Sequence, residues 1–146
     1  FTKGTFMTTK ITIGWREWLS LPELGIERIK AKVDTGARTS CIHAINIEEY
    51  EVDGEKWVKF IAQPLQDDEE TQITCNAKVK KMKYVTSSSG EKQLRYFIET
   101  TLHAGEDSWP IEVTLTSRAT MKFRMLLGRT AMENRVVVDT ALSHLL

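Results

Sequence analysis

Residues 33–41 read Val-Asp-Thr-Gly-Ala-Arg-Thr-Ser-Cys. An acid, Asp34, is followed by a hydroxyl residue, a glycine and a small residue. Gly36 permits a sharp turn and the close approach of a second backbone. An acid fixed on such a turn can take a proton from water or give one to a substrate oxygen. Two carboxylates about 3 Å apart cannot both ionise, so a pair holds one proton and does both jobs. This chain has one Asp-Thr-Gly. Asp139-Thr140-Ala141 is the nearest copy, lacks the glycine and reads as structural.

The elements around Asp34 follow from periodicity. Ile29, Ala31 and Val33 alternate with Arg28, Lys30 and Lys32, which predicts a half-buried strand from Ile26 that ends at Asp34. Before it, Lys10 to Gly14 reads as a first strand, and Trp15 to Gly25 as a loop with Pro22 and Gly25. Trp15 and Trp18 read as packing anchors. After the turn, Cys41, His43, Ile45 and Ile47 share one parity, hence a strand leaving the site. Asp53-Gly54 signals a hairpin whose return strand is Trp57 to Ile61, and residues 66–70 form an acidic loop tip. Ile73 to Val79 alternates again. Ser87-Ser88-Ser89-Gly90 is a turn between strands at 82–86 and 94–102. Past Gly105, Ile111, Val113 and Leu115 alternate, and Met121 to Leu127 runs into Gly128. Thr130 to Asn134 reads as one or two helical turns and Val136 to Val138 as a last strand. About eight short strands with frequent turns predict a mainly β, closed or nearly closed barrel. One domain is expected over 11–146, with one short C-terminal helix.

Net charge is zero over 146 residues, so nothing global points to nucleic acid or a membrane surface. No apolar run approaches the ~20 residues of a membrane span. Cys41 and Cys75 are too few for a disulfide framework and read as buried thiols. Residues 1–10 read as a disordered tail or a cloning remnant, since the chain opens on Phe1 and Met7 is a candidate start. Cytoplasmic placement is expected, with the periplasm as the alternative if a signal has been cleaved.

Asp34-Thr35-Gly36-Ala37 resembles the active-site turn of retropepsin-like aspartic proteases. Met125-Leu126-Leu127-Gly128-Arg129 resembles the apolar-apolar-Gly-Arg segment that closes their catalytic loop and opens a short C-terminal helix. Gly128 lies 94 residues after Asp34, in the right order (128 − 34). The fuller pattern includes Ile13-Gly14-Trp15-Arg16-Glu17-Trp18, Leu21-Pro22 and Lys30 to Ser40. It is similar to a bacterial single-domain retropepsin-like family often labelled "ATP-dependent zinc protease". That family is associated with a ligase that adds glutamates to a ribosomal protein. The resemblance spans residues 11–145.

It implies that Asp34, Thr35 and Gly36 are catalytic and that a symmetric homodimer supplies the second acid. Thr35 of each chain would bond to the other's backbone beneath the pair. Ala37, Arg38 and a flap at Ser88, Ser89 and Gly90 would hold peptide, while Gly128 and Arg129 would be structural. The Asp53-Gly54 hairpin is the competing flap. Arg38 departs from the viral enzymes, where an acid at that position pairs with the residue matching Arg129; Arg129 is therefore expected to find another acid.

Neither half of the family label finds support in the residues. His43, His103 and His144 are scattered, with no His-Glu-x-x-His and no Cys-x-x-Cys. A phosphate loop is absent. No metal or cofactor is expected. Lys78, Lys80, Lys81 and Lys83 read either as a solvated edge-protecting face or as a docking patch for an acidic substrate. The expected activity is hydrolysis of a peptide or protein, with glutamate-rich tails as one substrate class. The alternative is a non-catalytic module that holds a peptide or tail on the same barrel.

Overall fold

In the computed structural model, residues 10–65, 68, 70–86, 90–117 and 122–146 are described. The strands in chain order are β1 (Ile11–Ile13), β2 (Arg16–Leu21), β3 (Ile26–Val33), β4 (Ser40–Val52) and β5 (Glu55–Ala62). They continue as β6 (Ile73–Thr86), β7 (Lys92–Ala104), β8 (Asp107–Thr116), β9 (Met125–Leu127) and β10 (Val136–Val138). The single α-helical turn among the described residues is α1 (Arg129–Met132). β1 and β10 pair in parallel as a two-stranded sheet. The other eight form one sheet in the order β2-β3-β9-β4-β5-β6-β7-β8, with further pairings β2–β7 and β4–β8. The path β2-β3-β9-β4-β8-β7 therefore returns to β2. A mainly β chain with one short helix near its C-terminus is what the alternating sequence predicts.

One face of this ring carries Ile29, Ala31, Ile42, Ile98, Val113, Met125 and Leu127, all essentially shielded from solvent. Each large aliphatic buried there stabilises the fold by roughly 1.5–3 kcal/mol. β9 is short, yet it is wedged between β3, parallel to it, and β4, antiparallel to it. That insertion brings the end of β3 and the start of α1 together. Both cysteines are buried, and no disulfide forms among the described residues.

Three expectations are corrected. Trp15 to Gly25 is not a loop: β2 occupies Arg16–Leu21, followed by a 3-10 turn at Pro22–Leu24 and Gly25 at φ +79°. The interior positions of β2 are Glu17, Leu19 and Leu21. Glu17 hides the alternation because a charged residue stands at a core position. Its buried carboxylate accepts N–H bonds from Gly14 (2.7 Å), Leu145 (2.9 Å) and Leu146 (3.0 Å). Second, β9 begins only at Met125, with Phe123 and Arg124 ahead of it outside the strand. Third, residues 73–79 and 82–86 belong to one strand, because a bulge between Val79 and Lys81 keeps the ladder running. β4 likewise continues through Asn46, at φ +54°, where its register with β5 shifts.

The Asp53-Gly54 turn joins β4 and β5 with φ of +52° and +81°, as two-residue hairpins require. β6 and β7 form the second hairpin, paired from Val79–Ile98 out to Thr86–Lys92. The tail at residues 1–9, parts of the 66–70 loop, and Met121 lie outside the described residues, as do Ser87, Ser88 and Ser89. No helix among the described residues is long and apolar enough to cross a membrane.

Candidate active site

Asp34 follows the last residue of β3, and its N–H donates to Leu127 O of β9 at 2.9 Å. Its Oδ1 accepts the N–H of Gly36 at 3.0 Å and of Ala37 at 3.2 Å. The Ala37 N–H also reaches Asp34 O at 3.2 Å, closing the turn. The carboxylate is thus fixed by its own loop through one oxygen. Oδ2 has no hydrogen-bond partner among the described residues, and Asp34 is half-buried. Thr35 and Gly36 are exposed beside it, Ala37 is half-buried and Arg38 is exposed.

The Gly128-Arg129 segment ties this turn down. Gly128 N–H donates to the buried Ser40 Oγ at 2.9 Å. Arg129 N–H donates to Ala37 O at 2.7 Å and Thr130 N–H to Arg38 O at 3.0 Å. The first N–H groups of α1, which lack partners within the helix, are satisfied by the acid-bearing loop. The guanidinium of Arg129 donates through Nη1 to Thr35 O at 3.2 Å. Its observed partner is therefore a backbone carbonyl of the acid-bearing turn, not an acid. The structure brings Asp34, Thr35, Gly36, Ala37, Arg38, Gly128 and Arg129 into one knot. Gly90, exposed at φ +87°, lies at the far end of the β6–β7 hairpin.

A second face of the sheet runs away from this knot. Register partners point to the same side of a sheet. Lys32 pairs with Leu126, Leu126 with Cys41, Cys41 with Thr114, Thr114 with Phe97, and Phe97 with Lys81 of β6. Asp34 has the parity of Lys32, so this face starts at the acid and ends on the β6–β7 hairpin. The next row begins at Arg124, whose carbonyl accepts the His43 N–H at 2.8 Å. His43 pairs with Thr116, and Lys83 with Arg95. Thr116 and Arg95 both border a cavity of about 510 Å³ with Ala44, Ile47, Leu94 and Leu115 among its walls.

The lysines of β6 have partners of their own. Lys78 pairs with Glu55; Lys80 lies 3.6 Å from Glu99 and 3.1 Å from Glu112, and Lys81 3.6 Å from Glu112. Glu112, ahead of Glu99, holds Lys80 protonated above its ordinary range. Most of the stretch read as a docking patch is therefore already neutralised within the sheet.

Other titrating groups have clear causes. Burial pushes the Cys75 thiol up to about 11. Burial, and then its hydrogen bond to Glu49, push Tyr96 up to about 12. That bond, followed by Lys56, holds the Glu49 carboxyl below its usual range. His43 is buried, and its Nε2 donates to Gln63 Oε1 at 2.9 Å. No group of three His, Cys, Asp or Glu side chains among the described residues is placed to hold a metal ion. Sequence reasoning missed Ser40 and Arg124. The first was quoted only as part of a motif; the second sits in a segment read as plain strand.

Residues 12–145 match the RimB-like family model, described as retropepsin-like aspartic endopeptidase RimB. A Desulfotalea psychrophila protein called probable alpha-L-glutamate ligase is 48% identical over 133 residues, covering 91% of this chain and 29% of that protein. A Parasynechococcus marenigrum protein of the same name is 49% identical over 138 residues, covering 94% of this chain and 30% of that one. The chain thus spans about 30% of the length of these curated relatives. Among solved structures, a Legionella pneumophila protein of unknown function (DUF785) superposes with a TM-score of 0.77 at 25% identity. That match covers 94% of this chain and 98% of the other.

Proposed function

The chain belongs to the RimB-like family of retropepsin-like aspartic endopeptidases, and from that premise we propose that it is a peptidase whose active site is shared by two copies. The observation that carries this reading is Asp34 itself. One carboxylate oxygen is held by two backbone N–H groups, the other is open, and the exposed Thr35 and Gly36 flank it. A two-fold axis beside Thr35 would set two Asp34 side chains against one water. One member takes the water proton while the other, protonated, donates to the scissile carbonyl oxygen. The resulting tetrahedral species collapses as the leaving amine is protonated. The titration of such a pair belongs to both acids together.

The substrate class we propose is an acidic, glutamate-rich tail. Support comes from the relatives named glutamate ligase, of which this chain matches about 30%. A ligase that adds glutamates and a peptidase that removes them would act on the same product. Because Lys78, Lys80 and Lys81 are paired within the sheet, the acidic chain must be recognised elsewhere. The β6–β7 hairpin is the flap in this reading, since its strands end the face that starts at Asp34.

Asp34→Asn tests the chemistry. With an internally quenched oligoglutamate peptide, wild type is expected to cleave and D34N to lose about a thousandfold or more in rate. Its melting temperature and peptide affinity should be retained. Equal cleavage by D34N overturns the mechanism. If wild type binds acidic peptides and never cuts them, the chain is a non-catalytic tail-binding module.

A further inference from the structure

Arg124 is 3% exposed, and its Nε and Nη1 are buried without any hydrogen-bond partner. No acid among the described residues lies within ion-pair distance of it. A guanidinium removed from water and left unpaired is costly, because it loses hydration and gains nothing in exchange. A buried polar group without a partner calls for an explanation, and a ligand that arrives later is one. Arg129 has the Thr35 carbonyl and Arg16 stacks on Trp15 at 4.6 Å; Arg124 has neither kind of relief.

Its position says what that partner is. Arg124 lies across β4 from Thr116, with His43 between them. Thr116 and the half-buried Arg95 border the 510 Å³ cavity, and Arg95 stands directly opposite Lys83. Two cations facing each other across a ladder repel. Lys78, Lys80 and Lys81 each have an acid on the neighbouring strands; Lys83 and Arg95 have none among the described residues. Three cations without acids therefore share one row, on the face that begins at Asp34. Strands lie about 4.8 Å apart, so three steps put the Arg124 and Arg95 backbones roughly 14 Å apart, a span that two extended arginine side chains can close on one ligand between them.

We propose that Arg124 and Arg95, with Lys83 at the rim, form a subsite for an acidic side chain of the peptide lying across this face. The apolar walls at Ala44, Ile47, Leu94 and Leu115 would take the methylenes of a glutamate, and the two guanidiniums its carboxylate, which bidentate geometry suits. These residues are specificity-determining rather than catalytic. The inference rests on the peptidase reading for its substrate, but its test does not depend on cleavage.

Binding of fluorescein-labelled oligoglutamate and of the matching oligoglutamine is measured by anisotropy on wild type, Arg95→Gln and Arg124→Met. Wild type is expected to prefer the glutamate peptide. Each variant should weaken that binding roughly tenfold or more while leaving the glutamine peptide unchanged. Arg124→Met should also raise the melting temperature without ligand, because an unpaired buried charge is replaced by an apolar chain of similar length. Equal affinity of wild type and Arg95→Gln for oligoglutamate overturns the subsite, as does a lower melting temperature for Arg124→Met. Loss of binding to both peptides alike also overturns it. Absence of cleavage by a wild type that still discriminates the peptides overturns the hydrolase reading and leaves the subsite standing.

Discussion

A methyl group on Gly128 would lie 2.5 Å from Thr39 C and 2.7 Å from Ser40 N. Those are backbone atoms, which cannot swing away. Gly128 keeps an ordinary extended conformation (φ −88°), so crowding rather than torsion requires the glycine. Gly128→Ala should destabilise the fold by about 2–3 kcal/mol or more and displace Asp34, because the same segment donates to Ala37 O. Urea denaturation together with the cleavage assay measures both effects. At this scale the sequence was partly legible. Asp34 and Gly128 stood out through motifs whose backbone demands are local. Ser40 could not be weighed, since its partner lies 88 residues away. Arg124 was invisible because burial and missing partners are properties of the packed chain. Cys75 gives a second check. Its thiol ionises near 9.0 when unfolded and near 11 when folded. The buried neutral thiol contributes its full stability below pH 9, and that contribution is lost as pH rises towards 11. Cys75→Ala should flatten the fall in melting temperature over that window, and native Cys75 should resist iodoacetamide at pH 8 in a mass-spectrometric assay.

β2 shows what periodicity cannot read. Leu19 and Leu21 are core residues, but the third inward position is Glu17, so the pattern breaks where the strand begins. The acid is tolerated because three backbone N–H groups point at it. This makes β2 the anchor of the C-terminal segment, which also bonds through His144 N–H to Arg16 O at 3.0 Å and through Leu142 O to Trp15 N–H at 2.8 Å. Removing the carboxylate leaves the buried Gly14 N–H and the part-buried Leu145 and Leu146 N–H groups without their acceptor. Glu17→Ala should therefore cost on the order of 3 kcal/mol, with faster amide exchange at Leu145 and Leu146 than at Ile42 or Val113. Equal protection in variant and wild type would show that the tail is held by something else. β3, by contrast, was legible from Ile29 onward, where apolar and charged positions alternate; the adjacent Glu27 and Arg28 fall where its register with β2 shifts. β6 was legible in two pieces, since the bulge beside Lys80 shifts the parity between them.

The closed path β2-β3-β9-β4-β8-β7 places one acid-bearing turn at the end of β3, and Asp-Thr-Gly occurs once in the chain. Thr35 and Gly36 are exposed although they belong to the turn held by the Gly36 and Ala37 N–H bonds to Asp34 Oδ1. An ordered backbone that buries nothing of its own is suited to meeting an identical copy, and an isologous contact would bring each Asp34 to the other. Stoichiometry can be read from activity without seeing the dimer. Wild type and D34N are mixed under conditions that let chains exchange freely. If two acids from two chains are required, an equal amount of D34N leaves about half of the wild-type chains in wild-type pairs. Activity then falls to about half, and a tenfold excess of D34N brings it to about one tenth. If a single chain cleaves alone, added D34N changes nothing beyond competition for peptide, which excess substrate removes. Sedimentation velocity across the same concentrations should show a chain-pair species whose population tracks the rate. A rate per chain that stays constant under dilution well below the pairing transition would leave Asp34 acting without a twin, and the shared-site chemistry would fall.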